Sequence, residues 1–372
     1  MSWRRAAAAR ACALAAALAC VPAAGARAQE APAPTWQLQL HSIRHSDALR
    51  LADFDRDDWQ AVAPRPGRNL TTLDEGLRLE TRRGAWTWAL LARSQATLVA
   101  SEPTLTLARD IDGGRRPGAD LALQVQARLR GTSGGGLALG REHVLAEGWR
   151  AGWELQGLSL ARWLERRLAG PVRFRAANGN YGFALHSTEL DNRLDFPFRR
   201  DFARRGSALL LSATLAWNGE RAWARAALHD GGWLRWRGMP QQDATLDTTT
   251  QAVDAEGFLI YQPLIEGRNT QDGLQRLLPW RTSLAAGLRL GQDQRLGLHA
   301  ESLPDFGWLP AVSWQVGDGA GGAPSYGLRW QWHERRLVLL AGWRGFSLRA
   351  GADRLGAAAR SRELALGYVG TF

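Results

Sequence analysis

Tyr326-Gly327-Leu328-Arg329-Trp330-Gln331-Trp332-His333 is the stretch on which the fold turns. Read as a strand, it sends Tyr326, Leu328, Trp330 and Trp332 to one side and Gly327, Arg329, Gln331 and His333 to the other, because successive side chains of a strand point to opposite faces. Tryptophan beside arginine is then no contradiction: one face suits lipid, the other water. A charged break at Glu334-Arg335 leads into a further alternating run. The same split recurs upstream. Leu121, Leu123, Val125, Ala127 and Leu129 oppose Gln124, Gln126, Arg128 and Arg130, and Trp86, Trp88, Leu90 and Ala92 oppose Thr87, Ala89, Arg93 and Gln95. Arg82-Arg83-Gly84 is a short turn between two such runs.

A β-sandwich would bury the apolar face of such strands against a second sheet. The aromatic content argues otherwise, with 18 tryptophans against four tyrosines and two methionines. Tryptophan pairs such as Trp149/Trp153 and Trp233/Trp236 fall near strand ends, where an amphipathic ring suits the headgroup boundary of a membrane. Trp86, Trp88, Trp330, Trp332 and Trp343 are the expected interface aromatics. A helical membrane protein is excluded, since no apolar run after Gln29 is long enough to span and the mean hydropathy is -0.29. The expected fold is all-β: a transmembrane antiparallel up-and-down β-barrel.

The first 28 residues read as an export signal. Arg4 and Arg5 precede an apolar run over residues 14–24, and Ala26-Arg27-Ala28 is a small-x-small cleavage site. The expected organisation is a signal at 1–28, an N-terminal extension at 29–69 holding the first strand or a plug, and the barrel at 70–372. Both cysteines, Cys12 and Cys20, lie in the signal, so the mature chain has no disulfide or thiolate metal site. All 47 basic residues are arginine, and the net charge of +11 becomes +7 once the signal is removed. Those charges are dispersed through alternating segments without a basic block, which argues against nucleic acid as a partner.

At the C-terminus, Leu364, Leu366, Tyr368, Gly370 and Phe372 share one face, and Glu363, Ala365, Gly367, Val369 and Thr371 the other. This resembles the terminal strand of bacterial outer-membrane barrels, with Gly370 departing from the usual apolar residue. The resemblance implies the bacterial outer membrane as location, its lipid as surroundings, and the barrel-assembly machinery as a partner reading Phe372, Tyr368, Leu366 and Leu364. Residues 206–263, with Trp217-Asn218-Gly219, Asp230-Gly231-Gly232-Trp233-Leu234-Arg235-Trp236 and Glu256-Gly257-Phe258, resemble a stretch of uncharacterised single-chain outer-membrane barrels. That likeness implies a fold and no activity.

Allowing ~10 residues per tilted strand, the mature length supplies about 14 strands, within a range of about 12 to 16. One or two short loop or plug helices are expected. Leu160, Trp163, Leu164 and Leu168 recur at helical spacing before Gly170-Pro171, and Leu274, Leu277 and Leu278 share a helical face before Pro279. Polar stretches at 102–118, 191–206, 238–256 and 317–324 are the expected surface loops.

Chemistry is sparse. His186, Ser187 and Asn192 resemble the His, Ser and Asn set of outer-membrane phospholipase, yet neighbours on a strand face opposite sides, so no catalytic residue is assigned. His41 and His45 on a strand stand ~13 Å apart, too far to share a metal, and no cofactor motif occurs. Alternation points Arg78, Arg93, Arg128, Arg130, Arg173, Arg175, Arg289, Arg329 and Arg349 into the lumen. An arginine ring lowers the entry cost of anions, whereas pairing with Glu80, Glu301 or Glu363 would seal a narrow barrel. The leading expectation is a channel or transporter for a small polar, anionic solute. A sealed barrel docking an envelope partner through its loops comes second, and a lipid-modifying enzyme third.

Overall fold

Each alternating strand leaves a row of backbone N–H and C=O groups on either edge, and in lipid those groups must pair within the protein. Closure into a barrel satisfies them all, and the chain closes. The computed structural model describes residues 34–371 apart from 55–58, 249–251, 254–258, 261–264, 292 and 318–322. The signal residues, Phe372 and the Glu256-Gly257-Phe258 stretch lie outside the described residues.

The strands, in chain order, are β1 (Thr35–Ser46), β2 (Arg68–Arg83), β3 (Trp86–Ser101), β4 (Leu121–Ala146), β5 (Trp149–Arg175), β6 (Asn180–Asp191), β7 (Gly206–Asn218), β8 (Ala222–Asp247), the two-residue pair β9 (Ala252–Val253) and β10 (Leu259–Ile260), β11 (Ile265–Leu278), β12 (Arg281–Leu290), β13 (Gln294–Leu303), β14 (Gly307–Val316), β15 (Ser325–Gln331), β16 (Arg336–Trp343), β17 (Phe346–Ala352) and β18 (Ser361–Thr371). All pairings are antiparallel, and the wall is a closed barrel of 14 strands. Its seam joins β1 to β18, from Thr35 opposite Thr371 to His45 opposite Ser361. The wall thus begins at Thr35, within the segment read as an extension.

Two positions in the wall are shared by two strands each. β5, 27 residues long, pairs with β7 along Trp149 to Leu160 and with β6 along Leu164 to Arg175. β8 likewise pairs with β7 and β12 in its first half and with β6 and β11 in its second. Crossing a bilayer takes ~10 residues, so β4, β5 and β8 rise well past it at the end opposite the chain termini. There both faces are solvated or packed by protein and the alternation fades, which explains why residues 238–247, expected as loop, continue β8.

The two expected helices are strands. Residues 160–168 lie in β5, where a bulge at Ala161 places Arg162 opposite Ser133 but Leu160 opposite Gly134. The extra residue moves the inward set from Leu158 and Leu160 to Trp163 and Glu165, and that step of three imitates a helical turn. Residues 270–278 lie in β11, where Leu274 and Leu278 share the inner face at a spacing of four that both periods allow. An α-helix, α1 (Glu102–Asp112), falls in a stretch expected as loop. Ser101 caps its N-terminus by accepting from the Thr104 N–H, and Pro103 occupies the first turn. Its buried Leu105 packs with Ala100 and its Leu107 with Val125 and Val172. Ala100 shares a face of β3 with lipid-side Leu90, so α1 covers the outside of the raised wall rather than plugging the lumen.

The outer face is apolar and open: Leu137 is 64% exposed and Leu298 62%. Tyr326, Leu328 and Trp330 face outward as read from the sequence, and Arg329 faces in. Trp86, Trp88, Trp332 and Trp343 are exposed on the outer surface, as are Leu364 and Leu366, while Tyr368 packs between Trp36 and Phe346.

Candidate functional site

The inward faces enclose two chambers separated by a layer of ion pairs. The larger, of about 990 Å³, lies at the end holding the chain termini and the short turns, and its wall includes Arg78, Arg82, Glu142, Glu154, Arg289 and Arg295. The smaller, of about 230 Å³, lies towards the raised wall and includes Thr97, Leu158, Arg128 and Arg130. Beside it the lumen is filled by an apolar cluster built on Leu160, Trp163, Leu210, Leu234 and Trp236.

The dividing layer centres on Asp230. Arg93 meets its carboxylate fork to fork, Nη1 at 2.8 Å from Oδ1 and Nη2 at 2.7 Å from Oδ2, the geometry that makes such pairs strong. Arg281 Nη2 lies 2.5 Å from Oδ2 of the same carboxylate and 3.8 and 3.9 Å, through Nη1, from Asp74 and Glu301. His41 and Gln95 reach Asp74 at 3.2 and 3.0 Å, and Arg93 also donates to Gln156 at 3.1 Å. The layer therefore draws on seven strands: β1, β2, β3, β5, β8, β12 and β13.

The local backbone explains how Asp230 comes to lie there. β8 carries an extra residue against β7, with Leu228 opposite Ala213 and Gly231 opposite Leu211. Asp230 takes φ 58°, a left-handed conformation uncommon for a residue with a Cβ. Its N–H donates to Ser212 Oγ at 3.3 Å. The bulge lets consecutive His229 and Asp230 both face the lumen, His229 into the large chamber and Asp230 into the small one.

The arginines singled out by alternation divide into five groups. Arg78 is held by Glu80 at 2.8 Å and Glu154 at 2.5 Å, and Arg349 lies 3.6 Å from Glu363. Arg93 belongs to the dividing layer. Arg128 and Arg130 converge with Arg167 and Arg276 on the buried Glu165, and Arg128 also pairs with Asp305. Arg173 and Arg175 line neither chamber. Their expected place in the lumen is corrected: β5 carries them past the bilayer into the raised hairpin with β6.

Arg289 and Arg329 remain. Among the described residues neither has a carboxylate within ion-pair distance, since Glu80 pairs with Arg78, Glu301 with Arg281, and Glu363 with Arg336 and Arg349. Arg225 and Arg295, on the same chamber wall, also lack one, whereas Arg141 shares the outer face with its register partner Trp86 and sits 4.9 Å over that ring. These two escaped the sequence reading, although the alternation Trp223, Arg225, Ala227, His229 carried the signal for one of them.

No catalytic array forms around His186 among the described residues. It is exposed, 3.7 Å from Asp243, while Asp191 and Asn192 are engaged by Arg162. Residues distant in sequence meet instead at the raised end. His45 Nε2 and His333 Nε2 lie 3.1 and 2.9 Å from the two oxygens of Asp47, and these ligand-type atoms fall within 4.8 Å of one another. Arg65 Nη1, 2.5 Å from Asp47 Oδ1, and the Leu70 N–H, 2.8 Å from Oδ2, complete the carboxylate's partners, so a guanidinium already supplies the positive charge a metal would bring. Burial pushes the Asp47 carboxyl up, yet the hydrogen bonds from His333, His45 and the Leu70 N–H outweigh it and hold it well below the usual carboxylate range.

Closed wall, apolar exterior and charged interior define the class: a membrane-spanning antiparallel β-barrel. No family model matches the chain. No curated protein matches it either. Among solved structures it is similar to the toluene transporter TodX of Pseudomonas putida, at 7% identity over 92% of this chain and 90% of that one, with a TM-score of 0.40. It is also similar to a Pseudomonas aeruginosa FadL homologue, at 11% identity over 91% and 89% with a TM-score of 0.37, and to the CymD monoaromatic hydrocarbon channel, at 12% over 91% and 88% with a TM-score of 0.28.

Proposed function

We propose that this chain is an outer-membrane transport barrel that admits a small polar, anionic solute to its large chamber and passes it on when the Asp230 layer parts. The observation that carries this reading is the set of arginines on the wall of the 990 Å³ chamber with no carboxylate partner among the described residues: Arg225, Arg289, Arg295 and Arg329. Charge left uncompensated in a partly desolvated lumen favours a counter-ion of opposite sign far more than the same charge in bulk water.

The test is current through planar bilayers holding the refolded barrel, under a salt gradient. Anion preference that falls or reverses in Arg289→Glu and Arg295→Glu variants supports the reading. Absence of current at every voltage, in the parent and in an Asp230→Ala variant that removes the layer's centre, overturns it. One observation favours a second reading. The ion-pair layer continues across seven strands and is backed by an apolar cluster, as in a sealed barrel that docks an envelope partner through its loops. A folded barrel without current that crosslinks to a partner through 192–205 would establish that alternative.

A further inference from the structure

We propose that the large chamber contains a subsite for a tetrahedral oxyanion, of the phosphate or sulfate kind, built on Trp223, Arg289 and Arg295. The inference deepens the transport reading and rests on it for the solute's route, though not for its binding.

Register places the groups. Arg289 and Arg295 are direct partners across β12 and β13, both facing the lumen. Like charges in that relation repel, and no carboxylate among the described residues stands between them. One row further in, Trp223, Gly287, Gly297 and Ser313 are successive register partners on β8, β12, β13 and β14. The two glycines open a floor for the indole. A Cβ at Gly287 would stand 2.7 Å from Trp223 Nε1, and one at Gly297 would stand 3.0 Å from its ring. The indole thus lies across two strands and reaches His299, with ring centroids 6.0 Å apart. Arg225 and His299 stand on the next row, and Arg329 flanks Ser313.

What these groups lack identifies what they would hold. Trp223 Nε1, Arg289 Nε and Arg329 Nε are buried with no hydrogen-bond partner. All three are donors, and burying a donor without an acceptor is unfavourable. Two facing guanidinium forks each take a pair of oxygens. A carboxylate has only two oxygens and a halide a single centre, whereas a tetrahedral oxyanion offers four, enough for both forks with acceptor capacity left for the indole N–H. The enclosing wall points to a free anion or a small monoester rather than a lipid headgroup.

Equilibrium dialysis of labelled inorganic phosphate against the detergent-refolded full barrel tests the site without requiring conduction. A parallel series uses glycerol phosphate, and anionic-lipid nanodiscs report any headgroup competition. Saturable binding that weakens roughly ten-fold or more in Arg289→Gln and Arg295→Gln, and also weakens in Trp223→Phe, where the ring stays and the N–H is lost, is the expected result. Heat-modifiable mobility identifies which variants have folded, and Trp223→Phe carries the test if the arginine variants have not. No saturable phosphate binding by the parent, or unchanged binding in Trp223→Phe together with every folded arginine variant, overturns the subsite. Displacement by anionic lipid but not by glycerol phosphate also overturns it. Phosphate binding in a barrel that passes no current leaves the subsite standing and removes the transport reading, while current without phosphate binding does the reverse.

Discussion

Arg93 and Asp230, 137 residues apart in the chain, meet fork to fork across the lumen at 2.7 and 2.8 Å. No local sequence signal relates them. They are brought together because β3 and β8 stand on separate parts of the wall and a bulge in β8 turns Asp230 inward. Arg281 shares the carboxylate, so removing Asp230 leaves two guanidinium groups without their principal partner.

Asp230→Asn is therefore expected to lower stability by about 3 kcal/mol, the order found when one member of a buried charge pair is deleted. The same change should raise conductance, because the layer loses its centre. Denaturant titration followed by the heat-modifiable gel shift reads the first effect, and single-channel recording reads the second.

The pair Arg289→Glu with Arg295→Glu should invert the selectivity of the large chamber while leaving the barrel folded, since both residues line its wall without carboxylate partners among the described residues. The reversal potential in a tenfold salt gradient should change sign. An unchanged sign would place selectivity elsewhere in the lumen.

Asp47 sets an acid limit on the raised end. Its carboxyl is held below the ordinary range in the folded chain, so the unfolded chain binds its proton first as pH falls. The stability Asp47 contributes is fully present above the unfolded value of about 3.9 and is lost progressively below it, down through the folded value. Unfolding midpoints between about pH 5 and pH 2 should drop more steeply in the parent than in Asp47→Asn, which should be less stable than the parent at neutral pH.

Deletion of Ala161 removes the bulge in β5. Trp163 and Glu165, each 1% exposed, would then be turned towards the outer face, or the half of the strand before them would be, because a shift of one residue reverses every side chain. Loss of heat-modifiable mobility is expected. Replacement by glycine, which keeps the residue count, should retain it.

The same bulge shows where the sequence is legible and where it is not. Strict alternation at Tyr326 to Gln331 and Trp86 to Gln95 carried the barrel and told Arg329 from Trp330. It failed at 160–168 because one extra residue turns a period of two into a step of three, and whether a residue is extra depends on the partner strand. α1 was within reach of the Ser101 cap and Pro103 but was hidden among polar residues. In the lumen, parity located Arg78, Arg93, Arg289, Arg329 and Arg349. It could not tell which of them carboxylates neutralise, because Glu154, Asp230 and Glu363 come from other parts of the chain. The His45, Asp47 and His333 knot is of the same kind, closed over 286 residues.

The seam between β1 and β18 has a consequence for how the molecule is made. Thr35 lies beside Thr371, so the earliest wall segment waits for the latest before its outer edge is satisfied. Contacts that span nearly the whole chain are slow to form, and until they do, the polypeptide exposes two unpaired edges and a lipid-seeking face. Assembly is in this sense a single closing event, and loss of either seam strand would leave the remaining wall open rather than merely smaller.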